Sequence, residues 1–320
     1  MIKKFVLIIL FINSLYAEPV DIVELYRTQG INAVEQAISD RLKTKEYWDS
    51  NLLFKDVSNG YYESIRYVMI CQKNLKDIIL YDTKNKQELF SSNVFVGKEN
   101  GDKQIEGDMK TPLGAYKLTN RLTKLDPFYG PLALTTNYPN IYDKSQGKTG
   151  SGIWIHGLPE KQARDDYTKG CIALDNTKIK KLDNSINIDN SVLVISEQKL
   201  NSVSKNDISL VLSNIFSWRD AWKESKLDKY LSFYDKEFKK SNGDNLEKFT
   251  KHKTRVFQKK ESKTIKFSNI NVIPYPNELN KKIFKVIMDE DYKTRTYKFI
   301  GKKELYVEIE NNQFKILTEG

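Results

Sequence analysis

Histidine and cysteine are scarce: the 320 residues hold two of each, Cys71 and Cys171, His156 and His252. Two thiols are too few for a disulfide-stapled scaffold, and Cys71 lies in the apolar run Tyr67 to Cys71, which reads as a buried strand, so no structural disulfide is expected. No cluster with metal-ligand spacing, no phosphate-cradling glycine loop and no second nucleophile constellation occurs; the expectation is no metal and no cofactor. Beyond the first residues no hydrophobic run approaches the roughly 20 residues that cross a bilayer.

What is present starts with Lys3 and Lys4, the apolar run Phe5 to Ile12, and Leu15, Tyr16 and Ala17 before Glu18. This is the layout of a cleaved secretory signal over residues 1–17, after which the chain is not membrane-spanning. In residues 18–63 the apolar positions Ile22, Val23, Leu25 and Tyr26, then Val34, Ala37, Ile38 and Leu42, recur at helical spacing around Gly30. Two short amphipathic helices are predicted there. Their apolar stripe suits the catalytic domain or a second copy of the chain, and a homodimer contact is carried forward. Strands are predicted over 65–71, 75–82 and 87–96 as a β-meander, then over Thr111 to Thr119, at His156 and over Val192 to Ser196. A loop from Asp126 to Gly150, rich in Pro, Tyr and Asn, is expected to form one wall of a groove. After a polar linker near 201–206, two helices (around Val211 to Trp222 and Leu227 to Phe238) precede strands near 264–273, 282–289, 293–300, 303–310 and 313–318. The fold class is α+β.

Chemistry concentrates in one segment. Cys171 sits in the run Tyr167-Thr168-Lys169-Gly170-Cys171-Ile172, fourteen residues after Gly157 of the pair His156-Gly157. A thiol with an ordinary pKa of about 8.5 needs a base or a positive neighbour to become thiolate, and His156 supplies both. Gly170 frees space for close backbone approach, and turn amides could face a developing oxyanion.

These residues resemble the L,D-transpeptidase (YkuD) catalytic domain, whose signature is HG followed by [ST]-x-G-C. The stretch Thr111-Pro112-Leu113-Gly114-Ala115-Tyr116 is similar to the family's TPxGxF-type segment. The resemblance implies a mostly β catalytic domain over 64–200, with Cys171 as nucleophile, His156 as base and the Gly157 carbonyl orienting the imidazole. It further implies oxyanion-hole amides at Gly170 and Cys171. Thr168 and Lys169 flank the thiol on the substrate side. Where many members carry Arg two residues after the cysteine this chain has Ala173, which makes Arg121 and Arg164 candidate replacements for holding a substrate carboxylate. Residues 205–320, with a WxxAW start at Trp218 and a following antiparallel sheet, resemble the NTF2-like α+β fold.

The whole mature chain resembles the LD-carboxypeptidases that set helical cell shape, which implies a periplasmic enzyme acting on peptidoglycan stem peptides and converting tetrapeptides to tripeptides. An L,D-transpeptidase that resolves the same thioester with an amine is the alternative. A catalytically silent wall-binding scaffold is the second. The net charge is +10, and residues 205–320 hold 25 Lys and Arg against 17 Asp and Glu, a net of +8. Export removes the chain from nucleic acid, so anionic cell-wall polymer is the expected partner of that excess. The catalytic part is expected to work on soluble muropeptides when the chain ends near Lys199.

Overall fold

A computed structural model of the protein describes residues 21–160 and 165–320. The signal-peptide reading and Arg164 lie outside the described residues. Two compact units are present, one up to Arg41 and one from Leu42 onward.

In the first unit α1 (Ile22–Gln29) is capped by Asp21, whose carboxylate accepts from the amides of Val23 and Glu24, and it stops at Gly30. Helix α2 (Ile31–Leu42) follows at once. Tyr26, Ile31 and Ile38 are exposed.

The second unit holds α3 (Lys45–Leu52) and two sheets. The first sheet contains β2 (Tyr67–Gln72), β3 (Asp77–Asp82), β4 (Gln87–Asn93), β5 (Gly114–Leu122), β6 (Ala133–Thr136), β7 (Trp154–His156), β8 (Ile172–Ala173) and β9 (Ser191–Ser196), in the order β4-β3-β2-β9-β5-β6-β7-β8. Helices α4 (Ile141–Ser145) and α5 (Asn176–Ser185) lie in its connections. The second sheet contains β1 (Tyr61–Tyr62), β10 (Thr264–Pro274), β11 (Ile283–Lys293), β12 (Lys298–Glu310) and β13 (Gln313–Glu319), ordered β1-β10-β11-β12-β13. It packs with α6 (Lys205–Lys223), α7 (Leu227–Ser232) and α8 (Leu246–Gln258). The whole is mixed α+β, with a helix-covered sheet of the NTF2-like kind at the C-terminal end.

Strands β2 and β9 read as unbroken apolar runs because both of their faces are buried. Met69, Cys71, Leu193 and Ile195 point into the catalytic core, while Val68, Ile70, Val192 and Val194 pack with Ile273, Tyr275, Ile283 and Tyr306 of the second sheet. Polar contacts tie the same seam. The Tyr275 hydroxyl donates to Asp143 at 3.1 Å, and Asn271 Oδ1 accepts from the amides of Glu63, Ser64 and Ile65.

Several expectations need correction. Residues 18–63 are not one separate segment: Trp48, Leu52, Val57 and Tyr61 belong to the core of the C-terminal domain, Trp48 stacks on Phe216 at 5.7 Å, and β1 pairs with β10. The two strands expected at 293–300 and 303–310 are replaced by one, β12, which begins at Lys298 and runs on through Gly301 because that residue stays paired with Glu290, while Lys293 ends β11. The 126–150 stretch holds β6 and α4 rather than loop alone. Helices α5 and α8 went unpredicted: α5 buries only Ile179 and Leu182, and α8 is basic enough to read as surface.

Candidate active site

His156 ends β7 and Cys171 immediately precedes β8, and these two strands are parallel neighbours with His156 opposite Ala173. The fold thus brings the two chemical residues to one strand seam although they are fifteen positions apart. The His156 ring is 1% exposed, and its Nδ1 lies 2.6 Å from the Gly157 carbonyl oxygen. A carbonyl only accepts, so Nδ1 carries the proton and Nε2 keeps the basic lone pair. Tyr129, from the 3-10 turn Pro127–Tyr129, sets its ring edge against the imidazole at 5.1 Å and also touches Trp154 at 5.2 Å.

The Cys171 side chain is partly exposed, and its thiol donates to the Gly152 carbonyl at 3.2 Å. Cys71 is buried in the core, where burial pushes its thiol up to about 12 and keeps it inert. Neither thiol is in a disulfide.

The turn before Cys171 is held from within and from behind. The Thr168 hydroxyl donates to the Cys171 carbonyl at 2.6 Å and accepts from the Gly170 amide at 3.0 Å. Gly170 has φ +133°, and a Cβ there would sit 2.8 Å from the Lys110 carbonyl oxygen, so the position needs glycine. Thr111 accepts from the Gly97 amide, and Thr168 exchanges backbone bonds with Val96 and Lys98. Lys110 and Thr111, at the head of the Thr111–Tyr116 segment, therefore form the back wall of the catalytic turn.

Three site expectations change. Thr168 is buried and clamps the turn instead of facing substrate. The Gly170 amide is spent on Thr168, so it does not point outward as an oxyanion donor, and its glycine serves close packing on Lys110. Arg121 forms a two-pronged ion pair with Asp183 of α5 at 2.7 and 2.8 Å, which commits its guanidinium to the fold. Lys169 is exposed beside the thiol turn.

Other groups around the site had no local sequence signal. Lys148 bridges the buried carboxylates of Asp102 and Asp143 at 2.6 and 3.0 Å. Burial raises Asp102 above the usual carboxylate range; it would lower Lys148, but the two carboxylates outweigh it and hold that ammonium up. Asp102 also accepts from the Leu113 amide, which anchors the back wall. Asn176, the first residue of α5, bonds both backbone groups of Leu158.

The C-terminal domain contains a cavity of about 600 Å³ lined by Trp222, His252, Lys253, Lys259, Tyr292 and Lys303, among others. Lys253 Nζ sits 5.0 to 5.2 Å from the rings of Phe249, Trp222 and Tyr230, and burial brings its ammonium down to about 8. Among the described residues no group of three His, Cys, Asp or Glu could hold a metal ion, and no helix is long and apolar enough to cross a membrane.

Comparison with known proteins places this geometry. Residues 66–194 match the L,D-transpeptidase catalytic domain, and residues 210–320 match the Cds6 C-terminal NTF2-like domain. The crystal structure of the helical cell shape determining protein Pgp2 from Campylobacter jejuni is 39% identical, with TM-score 0.82 over 87% of this chain and 99% of that one. Bd1075 of Bdellovibrio bacteriovorus is 29% identical, with TM-score 0.65 over 83% of this chain and 96% of that one. YafK of Escherichia coli (strain K12), which carries the name L,D-transpeptidase, is 34% identical over 82 residues, 26% of this chain and 30% of that protein's length. Matched to Pgp2 along almost all of that protein, the chain belongs to the L,D-transpeptidase (YkuD) family, in the group that joins this catalytic domain to a Cds6-type NTF2-like domain.

Proposed function

We propose that the protein is an exported peptidoglycan LD-carboxypeptidase that trims tetrapeptide stems to tripeptides in the periplasm. The observation that carries the reading is the placement of His156, at the end of β7, beside the parallel strand β8 that Cys171 immediately precedes, with Nδ1–H tied to the Gly157 carbonyl, in a chain matched along its length to a cell-shape protein. His156 Nε2 takes the Cys171 proton, and the thiolate adds to the diaminopimelate carbonyl of the terminal peptide bond. The imidazolium then protonates the leaving D-alanine nitrogen as the C–N bond breaks. Water, deprotonated by the same Nε2, adds to the thioester; the C–S bond breaks and the thiolate is restored.

Amine attack on the same thioester would make the protein a transpeptidase, and the YafK match favours keeping that second reading. Incubation with purified tetrapeptide muropeptides separates them. Tripeptide monomer supports the carboxypeptidase, cross-linked dimer supports the transpeptidase, and no turnover leaves the wall-binding scaffold.

The basic cavity of the C-terminal domain is assigned to anionic wall polymer, and the helices α1 and α2, with their exposed apolar positions, to a homodimer contact. Lys259→Glu combined with Lys302→Glu should lower sacculus pull-down and flatten its salt dependence, since exposed charges are screened beyond about 10 Å at 0.1 M salt. Turnover of soluble muropeptides should not change. Light scattering after removal of residues up to Gly30 reads the dimer.

A further inference from the structure

The base His156 is aimed by one peptide unit, the one joining Gly157 to Leu158. Its carbonyl oxygen sits 2.6 Å from Nδ1. Its N–H belongs to Leu158 and donates to Asn176 Oδ1 at 2.8 Å. A peptide unit is planar, so fixing the N–H direction fixes the C=O direction at the other edge of the same plane. The Asn176 amide nitrogen also donates to the Leu158 carbonyl at 2.9 Å, so both ends of the side chain are engaged and the amide cannot turn over.

The surroundings leave room for this side chain and little else. A Cβ on Gly157 would lie 2.4 Å from Asn176 Oδ1, and a Cβ on Gly130 would lie 2.6 Å from it. Asn176 is therefore seated between the turn that follows His156 and the loop that carries Tyr129 onto the imidazole. It reaches this place because Asp175 caps α5 directly after the Cys171 strand, accepting from the Thr177 amide and starting the helix at Asn176.

We infer that Asn176 is a positioning residue: by holding the Gly157–Leu158 peptide it keeps the proton on Nδ1 of His156 and the Nε2 lone pair available to Cys171. This rests on the reading of His156 as the base. It assigns no contact between Asn176 and substrate.

The test reads the thiol without any wall substrate. Cys171 is alkylated with iodoacetamide across pH 5 to 10; Cys71 does not compete in the folded protein because it is buried. The wild type should react well below the midpoint of about 8.5 of an unassisted thiol. In folded Asn176→Ala and Asn176→Leu the midpoint should rise towards that value, with kcat on tetrapeptide muropeptides down about tenfold to a hundredfold and KM little changed, the loss expected from a misaimed base. Asn176→Asp keeps an acceptor for the Leu158 N–H, and its midpoint should stay at or below the wild-type one.

A wild-type midpoint near 8.5 overturns the Cys171–His156 pairing and this inference with it. A low midpoint in the wild type that is unchanged in Asn176→Ala or Asn176→Leu overturns the inference alone. If both of those variants fail to fold, Asn176→Asp decides: a midpoint raised towards 8.5 overturns the inference, and one at or below wild type supports it.

Discussion

At His156 the hydrogen bond to the Gly157 carbonyl decides which nitrogen is the base, and that decision divides the roles of neighbouring residues. Cys171 carries the covalent chemistry and contributes little packing, since its side chain is partly exposed. Cys171→Ala is expected to abolish tripeptide release while leaving the melting temperature within a few degrees, read by muropeptide chromatography beside a thermal melt. His156→Ala should lose at least about a hundredfold in turnover, the lower range for a general base. Near-wild-type turnover would assign proton transfer to another residue. A different residue, Glu319, contributes to the pH dependence of stability. Burial alone would raise Glu319, but Lys303, Lys253 and the Tyr234 hydroxyl hold its carboxyl down at about 2, against an ordinary 4.5. A depressed carboxylate contributes stability that is present above about 4.5 and is lost as pH falls through about 2. Glu319→Gln should therefore melt lower at neutral pH and lose less between pH 5 and pH 2 than the wild type does.

Elements with one strong signal were legible from sequence, and those defined by distant partners were not. The β-meander over β2 to β4, strand β9, helix α6 and the His156 and Cys171 positions were readable because alternation, apolar runs and the HG and GC pairs are local. Helix α5 escaped because it is polar, with two buried anchors, and its meaning lies in Asn176 meeting Leu158 across eighteen positions. The buried Asp102–Lys148–Asp143 cluster looks like three ordinary surface charges until β5 and the second sheet enclose it. Arg121 was read as a substrate ligand because Asp183, its partner, lay in the helix that was missed. Helix α3 shows the same cause at the N-terminal side. The N-terminal helical segment was expected to pack on the catalytic domain or on a second copy, yet Trp48 stacks on Phe216 of the C-terminal domain and its indole N–H donates to the Leu42 carbonyl at 2.8 Å. Trp48→Ala should destabilise the unit by about 3–5 kcal/mol, the usual cost of a large aromatic lost from a core. Chemical denaturation should show that loss as a single transition of residues 42–320, not as melting of an independent N-terminal piece.

On the scale of the whole molecule, the two family domains lie in one compact unit whose shared layer is built from both. One face of β2 and β9, together with Ala115, packs on residues of the second sheet and its loops, among them Ile273, Tyr275, Ile283 and Tyr306, with Ile141 and Tyr142 of α4 beside them. The back wall of the catalytic turn depends on the same layer: the Asp102 amide donates to Glu278, and Tyr275 packs on Gly114 so closely that a Cβ there would meet its ring at 2.5 Å. The sequence suggested a catalytic part that could stand alone when the chain ends near Lys199. Such a chain would keep α3 and β1 without the sheet they complete, and would turn Val68, Ile70, Val192 and Val194 towards water. At about 0.025 kcal/mol per Å² of apolar surface, leaving several such side chains uncovered costs as much as the 5–15 kcal/mol that holds a typical domain folded. A chain ending at Lys199 is therefore expected to aggregate or to lack a cooperative melt, and to release no tripeptide even from soluble muropeptides. Size exclusion with a thermal melt checks this directly. A monomeric, cooperatively melting and active fragment would show that the shared layer is dispensable, and that the C-terminal domain acts on the wall from outside the catalytic fold.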